Sequence, residues 1–348
     1  MNRPLNIIYV STTEKGPSGG VKIIYDHSEQ INRLNLKNIT SEILNFKKKK
    51  ISKWKGSFRK VLKLKNTDFT GWSTKDVAID KNFRSSWFKN KVKVKTNMSF
   101  NKEKDFIIFP EIFSHFAKKF CIDKKIPYGI FALNGYTLKP TNDYKTLEEV
   151  YKKAKIILSI SDDISKCVKL AFPTCENKIL KVGVSLGKNF NYNIKKTNLI
   201  TYMPRKMQQH SDQVIFFLRK YISSSWKIKK IHNMKEHEVS KLLLQSKIFL
   251  SFSGFEGLGM PPIEAAIAGN KVIGYTGEGG KEVWKKPIFS EIPSGNILKF
   301  VEEIIKNTKK NFPKGKTLTQ RKKIIKKFSL EAQKLSVIKM IKLIRNKK

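Results

Sequence analysis

Two glutamates flank a glycine-rich turn in the second half of the chain. Glu256 is followed by Gly257-Leu258-Gly259, and Glu264 comes after the paired prolines at 261 and 262. A carboxylate can accept hydrogen bonds from two neighbouring hydroxyl groups, and N–H groups at the start of a helix attract anionic oxygens. The residue types and their spacing therefore predict a site for a negatively charged or polyhydroxylated ligand.

A strand, a turn and a helix position the two carboxylates. Residues 248–252 form a short apolar run that is typical of a strand, and the two prolines suit the first turn of a helix. Gly269 ends that helix, and a second apolar run follows at residues 271–275. This order of elements predicts a parallel sheet, in which ligands bind at the carboxyl ends of the strands.

The same stretch resembles the signature of the retaining glycosyltransferases of family four and their GT-B relatives. Glu256 and Glu264 have the Glu-x7-Glu spacing of that family, and Gly279-Gly280 with Glu282 follow in the same order. The resemblance implies that Glu264 accepts hydrogen bonds from the ribose hydroxyls of a nucleotide-sugar donor. It also implies that Glu256 holds the sugar near its reacting carbon, while the backbone N–H groups of Gly257, Leu258 and Gly259 hold sugar or phosphate oxygens.

The resemblance assigns roles to two further pairs of residues. Arg205 and Lys206 follow an apolar run at 199–203, where relatives carry an Arg and a Lys that neutralise the leaving diphosphate. Those two residues lie several positions apart in relatives and are adjacent here. Near the N-terminus, Gly19 and Gly20 precede a helical pattern, and they correspond to a Gly-Gly loop that faces the donor phosphates in relatives.

Apolar runs of strand length alternate with amphipathic helical patterns along most of the chain, which predicts an α/β fold with parallel sheets. The resemblance implies a GT-B fold: two doubly wound, Rossmann-like parallel-sheet domains facing a cleft, with the C-terminal helix packing back on the N-terminal domain. We place an acceptor domain at 1–187, a nucleotide-sugar donor domain at 197–316 and a basic helical segment at 317–348. Within the donor domain, Val214, Ile215, Leu218 and Tyr221 recur at helical spacing and are predicted to face the core.

The acceptor side of the site is less clearly marked. Many relatives have a histidine there, and the nearest candidates in this chain are His115 and Asn134, with Glu111 at a strand end as an acceptor-site candidate. Asp162-Asp163 lacks the Asp-x-Asp pattern of metal-dependent transferases. We therefore expect neither a metal nor a cofactor, since the nucleotide-sugar is a substrate.

The charge of the chain is strongly positive. Lys and Arg number 71 against 28 Asp and Glu, which gives a formal net charge of +43. Such a field attracts nucleic acid, anionic lipid or phosphorylated substrates. Most of the cations are scattered lysines, which is typical of a solvated surface. The basic amphipathic pattern of the tail leaves two interpretations, a helix that packs on the N-terminal domain and a helix that lies on a membrane.

The sequence favours a cytoplasmic protein. The apolar run near the N-terminus is too short for a secretory signal, and no run reaches the ~20 apolar residues of a membrane span. The three cysteines have no CxxC spacing, which favours reduced thiols over a disulfide framework or a zinc site. We expect a location in the cytoplasm, with peripheral contact to the anionic inner face of the membrane as an additional hypothesis.

These observations predict a glycosyltransferase, of the hexosyltransferase class, that moves a hexose from a nucleotide-sugar donor to a glycan, lipid-linked or polysaccharide acceptor, with retention and without a metal. A sugar-nucleotide epimerase or phosphorylase would use the same fold. A catalytically inactive, lectin-like scaffold would bind glycan without turnover. A basic nucleic-acid-binding protein would account for the charge, but no nucleic-acid-binding motif accompanies it, so we expect no specific nucleic-acid partner.

Overall fold

The computed structural model describes residues 3–13, 16–49, 72–86, 88–186, 195–204, 206–309 and 314–347. The chain folds as two compact units. The first unit comprises Met1–Ser159, Ser165–Val182 and Val337–Lys348, and the second comprises Ile160–Ile164 and Gly183–Ser336. The boundaries expected at 187, 197 and 316 stay predictions.

The first unit is built on a largely parallel sheet. Its strands are β1 (Leu5–Thr12), β2 (Ile39–Lys48), β3 (Val77–Ile79), β4 (Lys93–Val94), β5 (Asp105–Pro110), β6 (Tyr128–Ala132), β7 (Ile156–Ser159) and β8 (Ile179–Lys181). The order is β3-β2-β1-β5-β6-β7-β8, with β4 pairing β2 and only β3 antiparallel to its neighbour among the described strands. All six residues of β5 are buried, as expected for a strand covered on both faces. The helices are α1 (Gly19–Arg33), α2 (Tyr144–Lys153) and α3 (Asp162–Ala171), whose first three residues belong to the second unit.

The second unit contains an all-parallel sheet. Its strands are β9 (Thr197–Met203), β10 (Lys227–Lys230), β11 (Ser246–Glu256), β12 (Lys271–Glu278) and β13 (Phe289–Glu291), in the order β10-β9-β11-β12-β13. The helices that follow are α4 (Gln208–Leu218), α5 (Glu236–Gln245), α6 (Met260–Ile267), α7 (Ile297–Thr308), α8 (Lys314–Lys327) and α9 (Leu330–Lys347). A core of strand residues, with Val214 and Leu218 from α4 and Phe300 from α7, lies on one face of this sheet.

Each sheet has one place where the strand order reverses. The reversal lies between β1 and β5 in the first unit, and between β9 and β11 in the second. Helices on the two sides of such a point leave the sheet in opposite directions, so a crevice opens at the carboxyl ends of the two strands. Lys206 and the turn at 257–259 come directly after β9 and β11, and therefore lie at the crevice of the second unit.

The last helix divides its residues between the two units. Val337, Met340, Ile341 and Ile344 of α9 are buried, and the Tyr9 hydroxyl lies 3.5 Å from the Met340 sulfur. The apolar face of the tail is therefore used in packing on the first unit, as the packing interpretation predicted, and is not available to a bilayer. Within the described ranges, no helix is both long enough and apolar enough to cross a membrane.

Candidate functional site

The strand that carries Glu256 is longer than the sequence pattern indicates. β11 does not end at Phe252 but continues to Glu256, with a shift of register after Ser253, and Glu256 pairs with Glu278 of β12. Gly259 then takes a left-handed conformation, with φ of 67°, and α6 begins at the next residue. A side chain at this position would be strained, so the glycine allows the sharp turn from strand to helix.

A second glycine turn packs directly on the first. The Gly279 N–H donates to the Glu256 carbonyl at 3.2 Å. A Cβ atom at Gly279 would lie 2.1 Å from the Gly257 carbonyl oxygen and 2.3 Å from that of Glu256. Contacts this short leave no room for any side chain. The glycine that follows β12 in the signature therefore has a structural reason here, because the two turns lie backbone against backbone.

The structure brings Lys206 and Glu256 together. The Lys206 ammonium lies 2.9 Å from Oε1 of Glu256 and donates to the Phe255 carbonyl at 3.4 Å. Their side chains are 35% and 28% exposed, so the pair is within reach of solvent. Such a partly exposed ion pair stabilises a protein by less than about 1 kcal/mol, and either group can turn toward a ligand. Arg205, the other predicted cation, lies outside the described residues.

Glu264 lies in the second turn of α6 and is half-buried. Its neighbours Ile263, Ala265, Ala266 and Ile267 are all buried, which fixes the helix against the sheet. The structure thus places Glu264 on the element that begins at the glycine turn, as the spacing predicted.

The carboxyl end of α6 is held by two cations that sequence reasoning missed. The Lys196 ammonium donates to the carbonyls of Ala268 at 2.7 Å and Leu243 at 2.9 Å, and to the Asn270 amide oxygen at 2.6 Å. Arg321 donates to the Ile267 carbonyl at 2.9 Å. Cations are favoured where the last carbonyls of a helix have no partner within it. Burial lowers the pKa of Lys196 to about 7.

The segment 160–164 also contacts the glycine turn. The Ser161 hydroxyl donates to the Gly257 carbonyl at 2.7 Å, and this contact is buried. Glu282, which belongs to the signature, accepts from the Asp162 N–H at 2.8 Å and from the Lys327 ammonium at 2.5 Å. Glu282 therefore joins the start of α3 to the end of α8, next to the Ser161 hydroxyl that holds the Gly257 carbonyl.

The predicted residues of the N-terminal half lie in the first unit. Gly19 and Gly20 begin α1, and a Cβ atom at Gly20 would contact the Leu133 side chain at 3.4 Å. His115 lies within hydrogen-bonding distance of the Trp72 carbonyl, at 2.8 Å, and burial lowers its pKa. The Asn134 side chain accepts from the Tyr136 N–H at 2.9 Å and so caps a short turn.

Glu111 is not placed as an acceptor-contacting residue would be. It is 3% exposed, and its carboxylate accepts from the Leu133 N–H at 2.9 Å and from the Thr137 hydroxyl at 2.8 Å. Burial raises the pKa of Glu111 to about 7. Both oxygens are engaged, so Glu111 fixes the turn after β6 and does not present a free carboxylate.

Comparison with known proteins shows similarity in fold and little in sequence. No protein-family model and no curated protein matches the chain. The lipopolysaccharide outer core galactosyltransferase WaaB superposes with a TM-score of 0.61 at 15% identity, covering 99% of this chain and 100% of its own. A single-site mutant of S. aureus TarM, in complex with fondaparinux, alpha-GlcNAc-glycerol and UDP, superposes with a TM-score of 0.65 at 10% identity. The match covers 98% of this chain and 99% of the TarM chain.

The chain has the GT-B fold. A chain of the GtfA/B complex matches over a shorter span, 70% of this chain and 57% of its own, with a TM-score of 0.51 and 12% identity. Several neighbours that match over nearly their full length are named as sugar transferases or synthases. Their low identity to this chain means that they establish the architecture alone.

Proposed function

We propose that this protein is a glycosyltransferase that moves a hexose from a nucleotide-sugar donor to a glycan, lipid-linked or polysaccharide acceptor, with retention and without a metal or cofactor. The observation that carries the proposal is the meeting of Lys206 and Glu256 beside the glycine turn, at the strand-order reversal of a GT-B chain. A cation, a carboxylate and a helix start are the groups that a sugar diphosphate requires.

Lys206 and Glu256 have complementary roles in this proposal. A diphosphate carries more charge than a single carboxylate, so it competes with Glu256 for the Lys206 ammonium. When Lys206 turns to the phosphate, Glu256 is released and accepts hydrogen bonds from hydroxyls of the transferred sugar. Backbone N–H groups of Gly257, Leu258 and Gly259 add donors at the start of α6. Arg205, adjacent to Lys206, is the second cation of the proposed site.

The transfer step needs charge stabilisation more than it needs a protein nucleophile. The bond between the anomeric carbon and the phosphate oxygen breaks, and the acceptor hydroxyl oxygen bonds to the same carbon on the same face. The hydroxyl proton goes to the leaving phosphate, so atoms and charge balance. Negative charge grows on the diphosphate during this step, and a preorganised cation there lowers the barrier. Glu264 holds the nucleotide by accepting from its ribose hydroxyls.

The acceptor is proposed only as a class. TarM is bound to alpha-GlcNAc-glycerol and UDP, and WaaB is named for the lipopolysaccharide outer core. The UDP bound to TarM supports a nucleotide-sugar donor, and both names support a glycan-type acceptor while differing in the acceptor itself. We propose a cytoplasmic location for the reaction, with peripheral contact to the inner face of the membrane.

A panel of UDP-, GDP-, dTDP- and ADP-sugars, screened by thermal shift and then by product analysis, tests the proposal. We expect one donor class to raise the unfolding temperature of the wild type. Glu264→Gln should weaken its binding at least tenfold, which corresponds to about 1.4 kcal/mol. Lys206→Met should lower kcat more than it changes KM. Lys241→Met, an exposed lysine on α5, is the matched control and should leave both unchanged.

The alternatives give different results in the same experiment. Turnover of the donor without an acceptor indicates an epimerase, and glycan binding without turnover indicates an inactive scaffold. No binding of any donor, together with steeply salt-dependent binding to RNA or DNA, would replace the transferase proposal with nucleic-acid binding.

A further inference from the structure

The outer face of α4 exposes aromatic side chains that the core of the second unit does not use. Phe216 is 50% exposed, Phe217 is 41% exposed, and Tyr221, in the turn after the helix, is 65% exposed. The inner face of α4 is occupied by Val214 and Leu218, which are fully buried. Tyr221 was expected on that inner face, but the helix ends at Leu218 and the tyrosine turns outward. We call Phe216, Phe217 and Tyr221 the α4 aromatic patch.

The two phenylalanine rings of the patch contact each other, and one of them contacts an arginine. Phe216 and Phe217 lie edge to face, with ring centroids 5.3 Å apart. The Arg219 guanidinium lies over the Phe216 ring at 4.0 Å. An aromatic ring with a cation on its face is stable at a boundary where one side is apolar and the other is charged.

Between Asp212 on α4 and Glu236 at the start of α5, the chain carries cations and no carboxylate side chain. Residues 213–235 include no Asp or Glu, and their cations are Arg219, Lys220, Lys227, Lys229, Lys230 and Lys235. Lys227, Lys229 and Lys230 are exposed on β10, the edge strand of the sheet. Ile228 packs on the same core as Val214 and Leu218, so Lys230 lies on the face of the sheet that carries α4. A stretch of this length with six cations and no anion attracts a negatively charged surface.

We propose that the α4 aromatic patch, together with Arg219 and Lys220 after α4 and Lys230 of β10, docks the protein on an anionic phospholipid bilayer. Tyrosine settles at the headgroup level of a bilayer, and phenylalanine buries its ring at the boundary with the acyl chains. Lysines and arginines are attracted by the negative surface potential. Each cation near such a surface strengthens binding by about fivefold. The tail helix does not serve this purpose, because the apolar face of α9 is buried in the first unit.

A bilayer accounts for this surface better than a nucleic acid does. Single-stranded nucleic acid stacks its bases on open aromatic faces. Here Arg219 covers a face of Phe216, and the edge of one phenylalanine meets the other ring. The inference does not depend on the proposed transfer reaction. It adds a surface that would hold the second unit close to membrane-associated acceptors.

Vesicle sedimentation of the full chain tests the inference. The probes are vesicles of phosphatidylcholine alone and vesicles with phosphatidylglycerol added. We expect binding to the second kind only, weakened by salt. The double change Phe216→Ser with Phe217→Ser should lower the affinity at least tenfold, and so should Lys220→Glu with Lys230→Glu. The two lysines lie on the surface, so the lysine double variant should keep its fold and still test the inference if the phenylalanine double variant does not fold.

Tyr144→Ser is the matched control, because Tyr144 is an exposed aromatic of the first unit with the Lys139 ammonium 5.3 Å from its ring centroid. It should bind vesicles as the wild type does. The inference would be overturned if the charge-pair variant bound vesicles as the wild type does, or if neutral vesicles were bound as well as anionic ones. It would also be overturned if RNA of equal charge displaced the vesicles, or if the protein self-associated and bound no lipid. Donor binding, measured on the same variants, should stay unchanged, so failure here is separate from failure of the proposed function.

Discussion

Replacing the buried carboxyl of Glu111 by an amide should change the pH dependence of stability. Burial raises the pKa of this carboxyl from an ordinary value of 4.5 to about 7. Between these two values the folded chain binds a proton that the unfolded chain has lost. The contribution of Glu111 to the free energy of unfolding of the wild type therefore falls as the pH rises from 4.5 to 7.

The magnitude follows from the size of the pKa change. One pKa unit corresponds to about 1.4 kcal/mol, so a rise from 4.5 to about 7 corresponds to about 3 kcal/mol. Glu111→Gln has no proton to exchange. Its amide oxygen can accept from the Leu133 N–H, and its NH2 group can donate to the Thr137 hydroxyl, which rotates to accept. The turn after β6 should therefore keep its shape.

The assay is urea unfolding of both proteins across this pH range, with amide hydrogen exchange at Leu133 as a local measure of the same turn. Burial lowers the pKa of His115, which makes stability rise with pH in part of the same window. The informative quantity is therefore the difference between wild type and variant. The variant should gain about 3 kcal/mol relative to the wild type between pH 4.5 and 7.

Glu148→Gln is the matched control, because Glu148 is exposed on α2 in the same unit. It should follow the wild type at every pH. Parallel curves for Glu111→Gln and the wild type would mean that burial does not hold a proton on Glu111, and the account of this turn would be wrong.

Two further predictions concern the second unit. Gly279→Ala should cost about 1–3 kcal/mol of stability and weaken donor binding, because its Cβ would lie 2.1 Å from the Gly257 carbonyl oxygen. The control is Gly254→Ala, whose Cβ would have its nearest neighbour 4.0 Å away and which should cost little in denaturant unfolding. Equal losses of stability in the two variants would contradict the packing of the two turns. Lys196→Met should destabilise by about 3 kcal/mol, since it leaves three buried acceptors without their donor, whereas the exposed Lys195→Met should stay within about 0.5 kcal/mol in the same assay.

Much of the architecture could be predicted from local patterns. The apolar run at 271–275 was expected as a strand, and β12 contains it, because a continuous apolar run suits a strand that is buried on both faces. The turn between Glu256 and Glu264 was expected to join a strand to a helix, and it does. Glycine and proline limit the backbone locally, so their positions indicate such a turn without any knowledge of the fold.

Local patterns were wrong where an element ended earlier or later than its periodicity indicated. Tyr221 continues the helical spacing of Val214 and Leu218, yet α4 ends at Leu218 and Tyr221 is exposed. β11 extends four residues beyond the apolar run that ends at Phe252, because pairing with β12 continues through a register shift to Glu256. A strand ends where its neighbour stops supplying hydrogen-bond partners, and that neighbour is not encoded nearby in the sequence.

The residue types around the turn can be read from the order of the chain: two carboxylates, glycines without side chains, and a cation after an earlier strand. Which of them meet depends on how the strands are arranged in the sheet. Lys206 reaches Glu256 because the strand order reverses between β9 and β11, and Ser161 and Lys196 reach the turn and the end of α6 from distant parts of the chain. Periodicity reports which side of an element is buried, whereas contact between distant residues depends on the path of the whole chain.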